Sequence, residues 1–347
     1  MRVLHVGDDF AALRPCGLTL YSDALMQGQV AAGHEVSYVF SGRQYPRLER
    51  PRLKRRRDRG VRMFELIGSP NHAHWEDGTR TPLLDVDEPA GEAAFRIAIR
   101  EARPEVVHIH ELAGLPSSVI EIAREAGVPV LMTLHDYKPV CASVRLLDAD
   151  GRRCHRHDVG EDCARNCAGA PAGRQHLVDW TIDYEIRRVK RALPLGDRVD
   201  FSAVAPAAAA VRGLLSKPAG NGAAPVELPV ASPEHYQRRR DVNLERLRLC
   251  HRLVAPSARV AEIYSQLGVH RESIDVQRLT LPHLDRLAPR RDAAVGSPLT
   301  FVTLGGCASH AKGSGAIVDA VRALEASGRR YRLVVHGNAD DAARAAL

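Results

Sequence analysis

Pro104-Glu105-Val106-Val107-His108-Ile109-His110-Glu111 and, a short way on, Val128-Pro129-Val130-Leu131-Met132-Thr133-Leu134-His135-Asp136 carry the reading that decides the fold. Each holds a brief aliphatic run, Val106, Val107 and Ile109 in one and Val130 to Met132 in the other, the pattern of a short strand buried on both faces. Between them residues 116–126 read as a helix, closed by Gly127. Strand, helix and strand joined by short turns imply a parallel pair with a crossover helix. Both strands end in histidine followed by an acidic residue. In a parallel sheet the carboxyl ends of the strands open onto the ligand crevice.

The same rhythm extends in both directions. Towards the N-terminus, residues 3–6 read as a strand and residues 17–32 as a helix, with Leu18, Tyr21, Leu25 and Val30 near helical spacing and Gly33 ending it. Residues 36–40 and 61–66 are further strands, and residues 89–103 a helix stopped by Pro104. Residues 138–235 break the pattern. They hold a cysteine cluster, a helix over about 174–193, and an alanine- and glycine-rich stretch, 203–224. After this insertion, residues 248–255 are expected to form a strand, Ser257 to cap a helix through Leu267, and residues 274–279 to form another strand. Residues 285–298 read as a linker. A fresh strand–helix–strand unit follows at 299–304, 313–326 and 331–335.

The expected fold class is α/β. An N-terminal Rossmann-like parallel-sheet domain spans residues 1–290, with the insertion at about 138–235. Residues 291–347 begin a second Rossmann-like domain. A unit of that size cannot bury both faces of a sheet, so this second domain is expected to be truncated.

Composition narrows the function classes. The chain has 347 residues, 45% hydrophobic and 26% charged, with a formal net charge of +7. No apolar run reaches the roughly 20 residues needed to span a bilayer. No secretory leader opens the chain, so a cytoplasmic location is expected. Residues 43–62 hold ten Arg and Lys against Glu49 and Asp58, which leaves the rest of the chain close to neutral. That segment reads as a solvated loop, with peripheral contact to an anionic inner membrane face as the alternative. Only Tyr45 is interleaved, which argues against nucleic acid.

Three sets of residues carry candidate chemistry. Cys16-Gly17-Leu18-Thr19 joins the first strand to the first helix, where a glycine lets backbone N–H groups approach an anion. It is not the G-x-G-x-x-G of dinucleotide binders. His108 and His110 share one side of their strand, and His110 stands last, at the crevice. Its imidazole there can meet a sugar hydroxyl or support charge at a reacting carbon. His135, Asp136 and Tyr137 line the crevice from the next strand. Asp136 either orients His135, accepts from a ligand hydroxyl, or simply makes a turn.

These segments, with Ala32-Gly33-His34-Glu35-Val36, Leu253-Val254-Ala255-Pro256-Ser257, Gly305-Gly306 and Lys312-Gly313, occur in an order that resembles the large retaining glycosyltransferases of the GT-B, family-four type. Such proteins pair an acceptor-side Rossmann domain with a donor-side one. The resemblance implies transfer of a sugar from a nucleotide-diphosphate donor to a hydroxyl acceptor, with retention and without a cofactor for catalysis. It implies that His110 touches the donor sugar near the reacting centre. Gly17, Gly305, Gly306 and Lys312 would hold the donor, Lys312 against the diphosphate. Thr19, His135, Asp136 and Tyr137 would shape the acceptor side. The chain departs from the family pattern at Cys16, where a second glycine is common, and at Cys307, near the place of a phosphate-clamping arginine. The paired glutamates that hold the donor would lie beyond Leu347. A non-catalytic binding module is therefore the alternative.

Cys141, Cys154, Cys163 and Cys167 form the remaining constellation. The last pair has finger-like spacing, while the first two gaps match no common zinc signature. A structural zinc, free thiols, and disulfides or an iron–sulfur centre all remain open readings, each with a structural role at the crevice rim.

Overall fold

A computed structural model describes residues 1–9, 11, 16–44, 51–71, 78–148, 150–169, 181–182, 184–189, 230–279, 281, 284, 298–304 and 313–337. The chain divides into two compact units. One comprises Met1–Leu146 and Cys154–Leu284, the other Leu147–Arg153 and Asp285–Leu347.

The first unit is built on an eight-stranded sheet. Its strands are β1 (Arg2–Asp8), β2 (Glu35–Ser41), β3 (Arg52–Asp58), β4 (Val61–Ile67), β5 (Val106–Ile109), β6 (Val130–Thr133), β7 (Arg252–Ala255) and β8 (Ile274–Val276). They lie in the order β3-β4-β2-β1-β5-β6-β7-β8. Every pair is parallel except β3 with β4. The helices are α1 (Gly17–Ala31), α2 (Pro89–Ala102), α3 (Val119–Glu125), α4 (Gly160–Asn166), α5 (Pro233–Leu249) and α6 (Ala258–Gln266). The central strands are apolar on both faces: Leu4, Val6, Val107, Ile109, Val130, Met132, Leu253 and Ala255 are all buried. This is the Rossmann-like α/β architecture read from the sequence, with the cysteine-bearing insertion between β6 and α5.

From β1 the chain steps to β2 on one side, then returns to β5 on the other. The β1/β5 boundary is therefore the topological switch point, where an open α/β sheet leaves a crevice at its carboxyl edge. His5 pairs with His108 across this boundary, and the His110 amide donates to the Val6 carbonyl (2.8 Å).

Three expectations need correction. The basic segment is not simply a loop, because residues 52–58 are β3, an edge strand antiparallel to β4. Arg59 (φ 41°) and Gly60 (φ 86°) make the hairpin turn, both left-handed as a primed two-residue turn requires. Several of its cations are engaged. Arg55 pairs with Glu101 (2.7 Å), Arg59 with Asp23 (2.5 Å), and Arg56 stacks over Phe40 (5.6 Å). A charged edge strand also resists pairing with other chains. Second, the strand expected at 248–255 begins only at Arg252, because α5 occupies residues up to Leu249. Third, α5 itself was not foreseen. Its buried residues are Tyr236, Arg239, Arg240, Asn243, Arg246 and Leu247, a mostly polar set that carries no apolar periodicity.

Most of that buried polar face is engaged in hydrogen bonds. Arg239 donates to Asp85 Oδ2 (2.6 Å) and to the Lys138 carbonyl (2.6 Å), while Lys138 Nζ reaches Asp85 Oδ1 (3.4 Å). Arg246 donates to the Val86 carbonyl, Asp87 and Glu121. Asn243 joins Ser117 to the Pro139 carbonyl. The helix thus fixes the segment after β6 by charge-assisted hydrogen bonds rather than by apolar contact.

In the second unit β9 (Leu299–Thr303) and β10 (Tyr331–Val335) pair in parallel, with α7 (Ser314–Ala326) between them in sequence. No helix among the described residues is long and apolar enough to cross a membrane.

Candidate active site

A buried group of imidazoles lies at the switch point and runs towards the carboxyl ends of its strands. His5 lies on β1, His108 on β5, His110 just past it, and His135 just past β6. Their rings form one group: His108 and His110 have centroids 4.1 Å apart, His5 and His110 stack at 5.1 Å, and His110 and His135 stand 5.7 Å apart. Tyr21, one turn into α1, presents its ring edgewise to both His110 (6.0 Å) and His135 (5.2 Å).

Hydrogen bonds fix how these rings carry their protons. His5 Nε2 lies 2.7 Å from Gln29 Oε1. A carbonyl oxygen only accepts, so His5 carries its proton on Nε2. Burial pushes the pKa of His5 down to about 4, so the ring is neutral at pH 7 and its Nδ1 is a lone pair. That lone pair is 2.9 Å from His110 Nε2, which must therefore donate. Burial, reinforced by His108, His5 and His135, holds His110 well below the usual imidazole value. His110 is thus a neutral ring with its proton on Nε2 and a free acceptor at Nδ1.

Among the described residues nothing satisfies that acceptor. His110 is 1% exposed, and its Nδ1 is buried without a hydrogen-bond partner. His135 Nε2 is buried and unpartnered too, and burial pushes His135 down to about 4. An unsatisfied buried polar atom costs about 1–3 kcal/mol, so two on neighbouring rings call for a reason.

Carboxyl chemistry lies behind the rings. Glu111 is buried, and its Oε1 accepts from the amides of Leu112 (2.7 Å) and Ala113 (3.1 Å). Burial first, then Asp136, raise its pKa well above the ordinary carboxyl range, so it is protonated and hydrogen-bonds to Asp136. Asp136 Oδ1 also accepts from the Lys138 amide (2.8 Å).

The sequence-derived site residues separate accordingly. His110 and His135 come together, with Gly17 opening α1 nearby in the chain from Tyr21. A Cβ at Gly17 would meet nothing within 4 Å, so the protein's own packing does not require the glycine. Thr19 is buried, and its hydroxyl closes a capping box with Cys16, accepting from the Cys16 amide (3.0 Å). Asp136 bonds to the Lys138 amide and Glu111, and Tyr137 stacks on Tyr264 (5.8 Å). Gly305, Gly306 and Lys312 lie outside the described residues. The sequence reading missed His5, Gln29, Tyr21 and Glu111. A histidine on each of two strands flanking the switch point was the available signal for His5.

The ring nitrogens of His5, His108 and His110 lie within 4.8 Å of one another, close enough for a metal donor set. Their bonds speak for a relay instead. The His5 nitrogens serve Gln29 and His110, and His108 Nε2 serves Thr133 (2.8 Å). A groove along α1, lined by Leu20, Asp23, Gln27 and Arg59 among others, does not include the histidines.

The sheet is of the Rossmann-like α/β class, with a group of imidazoles at its switch point. The chain belongs to the family described as the glycosyl transferase 4-like domain, whose model matches residues 17–192, just over half its length. No curated protein matches the sequence. Among solved structures it is similar to a UDP-forming α,α-trehalose-phosphate synthase from Burkholderia vietnamiensis (14% identity, 76% of this chain and 42% of that one, TM-score 0.31). It is also similar to the catalytic domain of starch synthase IV from Arabidopsis thaliana bound to ADP and acarbose (11% identity, 96% and 68%, TM-score 0.38). A third is a UDP-glucose: anthocyanidin 3-O-glucosyltransferase in complex with UDP (11% identity, 100% and 68%, TM-score 0.37). The chain spans about two-fifths of the trehalose-phosphate synthase.

Proposed function

We propose that the chain is the acceptor-side part of a glycosyltransferase that moves a sugar from a nucleotide-diphosphate donor to a hydroxyl acceptor. The observation that carries this reading is the pair of unpartnered ring nitrogens, His110 Nδ1 and His135 Nε2, at the ends of adjacent parallel strands in a member of a glycosyl transferase family. Sugar hydroxyls, which both donate and accept, are the partners such nitrogens lack. A neutral ring with a buried, unsatisfied lone pair also suits the positive charge that gathers on the sugar as its glycosidic bond breaks. It cannot neutralise the departing diphosphate; in this reading that task falls to Lys312, with Gly305 and Gly306 giving backbone access. Transfer with retention, driven by positioning and by charge stabilisation at the leaving group, completes the reading.

The test is release of nucleoside diphosphate by the full chain from a panel of nucleotide sugars with hydroxyl acceptors. His110→Ala is expected to lower turnover about 10²-fold, the usual cost of removing a preorganised transition-state partner. Unchanged turnover in His110→Ala contradicts the role assigned to this ring. The near-complete burial of His110 favours a second reading, a binding module without turnover; tight nucleotide-sugar binding with no product release by the unaltered chain selects it.

A further inference from the structure

The insertion brings its four cysteines to one place. Cys141 follows β6, and its Sγ accepts from the Leu146 amide (3.3 Å) and lies 3.3 Å from Ser143 Oγ. The chain then loops out and returns, so that the Cys154 amide donates to the Leu146 carbonyl (2.8 Å). Cys163 lies on α4 and Cys167 caps its end one turn on, with the Cys167 amide donating to the Cys163 carbonyl (2.9 Å). Ala142, next to Cys141, and Ala168, next to Cys167, share one buried cluster against which Cys163 packs, and this brings α4 to the turn after β6. The electrostatic neighbours of Cys163 are the other three thiols. All four sulfurs are free.

A buried cation faces this group. Arg240 on α5 is 3% exposed, and its Nη2 has no hydrogen-bond partner. Its Nη1 donates only to the Arg156 carbonyl (2.7 Å). Among the described residues Arg240 forms no ion pair with a carboxylate; its ionisable neighbours are Cys154, Cys163, Cys141 and Asp241. A guanidinium so placed is short of negative charge. Four thiolates on one divalent ion carry a net charge of −2 and would supply it.

We propose that Cys141, Cys154, Cys163 and Cys167 bind one zinc ion as a tetrathiolate site, with Arg240 as the buried counter-cation. Soft sulfur donors in a set of four select tetrahedral zinc, and a closed set without an open position is structural rather than catalytic. The sulfurs stand further apart than the 4.8 Å that encloses the nitrogens of His5, His108 and His110. Ligation at a Zn–S distance of about 2.3 Å therefore draws the turn after Cys141, and Cys154, onto α4. The ion would cross-link β6, α4 and, through Arg240, α5, and so hold the insertion beside Lys138 and the crevice. It does no chemistry on the sugar, so the site stands or falls independently of the proposed transfer.

The experiment is elemental analysis of the full chain, purified without chelator or metal-affinity step, followed by replacement of the metal with cobalt(II). One zinc per chain is expected, with thiolate-to-cobalt charge-transfer bands and the intense visible bands of a tetrahedral site. Cys163→Ser and Cys167→Ser should each lose the zinc, while Cys250→Ala, in the core away from the cluster, keeps it. The cobalt spectrum of the unaltered chain is decisive even where a variant fails to fold. A chain that retains no zinc and gives no thiolate–cobalt bands overturns the proposal. So does iron in place of zinc, or a Cys163–Cys167 disulfide in protein prepared without oxygen.

Discussion

Glu111 shows how a single residue's chemistry depends on where the fold ends a strand. It directly follows His110, and its position puts the carboxyl in a dry site against Asp136, where it keeps its proton. At neutral pH the native chain holds a proton that the unfolded chain releases, so this group costs stability, and the cost grows as pH rises above the ordinary carboxyl value. Glutamine reproduces the hydrogen bonds of a protonated glutamate. One side-chain oxygen accepts from Leu112 and Ala113, and the amide donates to Asp136. Glu111→Gln is therefore expected to match or exceed the parent stability at pH 7 in urea denaturation, with a flatter pH dependence. Glu111→Ala should lose about 1–3 kcal/mol by stranding two amides and Asp136. A large loss in the glutamine variant would show that the carboxyl is ionised. The sequence offered His110-Glu111 and His135-Asp136 as matching pairs, but nothing in it told that one acid faces the other.

Legibility varied more sharply from element to element. The strands β1, β5 and β6 were readable because burial on both faces leaves uninterrupted apolar runs. The cap of α6 was readable because Ser257 Oγ accepts from the Val260 amide (3.3 Å), a local signal. Two elements were hidden for the same reason: polar residues do work that pattern rules assign to apolar ones. β3 is an edge strand of arginines with no apolar alternation, and α5 buries arginines against partners more than 80 residues distant in sequence. Those partners can be known only from the fold. The Asp85–Arg239–Lys138 cluster is the strongest test at this scale. Burial alone would raise the Asp85 pKa, and Lys138 and Arg239 more than reverse it, so the carboxylate stays charged and sits below its usual value. Asp85→Ala is expected to cost about 3–5 kcal/mol, because it leaves two cations buried without an anion. Chemical denaturation measures it, and a loss below about 1 kcal/mol would mean that α5 is not held by this cluster.

Across the whole molecule, the sequence carried the parallel sheet, the interruption at the cysteines and the second strand–helix–strand unit. It also carried the two histidines that end neighbouring strands. It did not carry their protonation. That follows from the order of strands around the β1/β5 switch point, which sets His5 beside His110 and lets Gln29 on α1 choose the tautomer of both. The same burial makes the imidazole group a pH-dependent element of stability. His5 and His135 fall to about 4 in the native chain, below the ordinary value near 6.5. Their contribution is complete above about pH 6.5 and drains away as pH falls towards 4, where the unfolded chain binds protons that the native one refuses. The most direct measurement is nitrogen-15 NMR of the histidine rings in the full chain between pH 7 and 5.5, before and after addition of a nucleotide sugar. The account requires a neutral His110 throughout that range, protonated on Nε2, with an Nδ1 resonance that moves into the hydrogen-bonded range when the sugar is present. In Gln29→Leu this fixed tautomer should give way to a mixture. A proton on Nδ1, a ring that titrates near pH 6.5, or an Nδ1 indifferent to every nucleotide sugar that binds would contradict it.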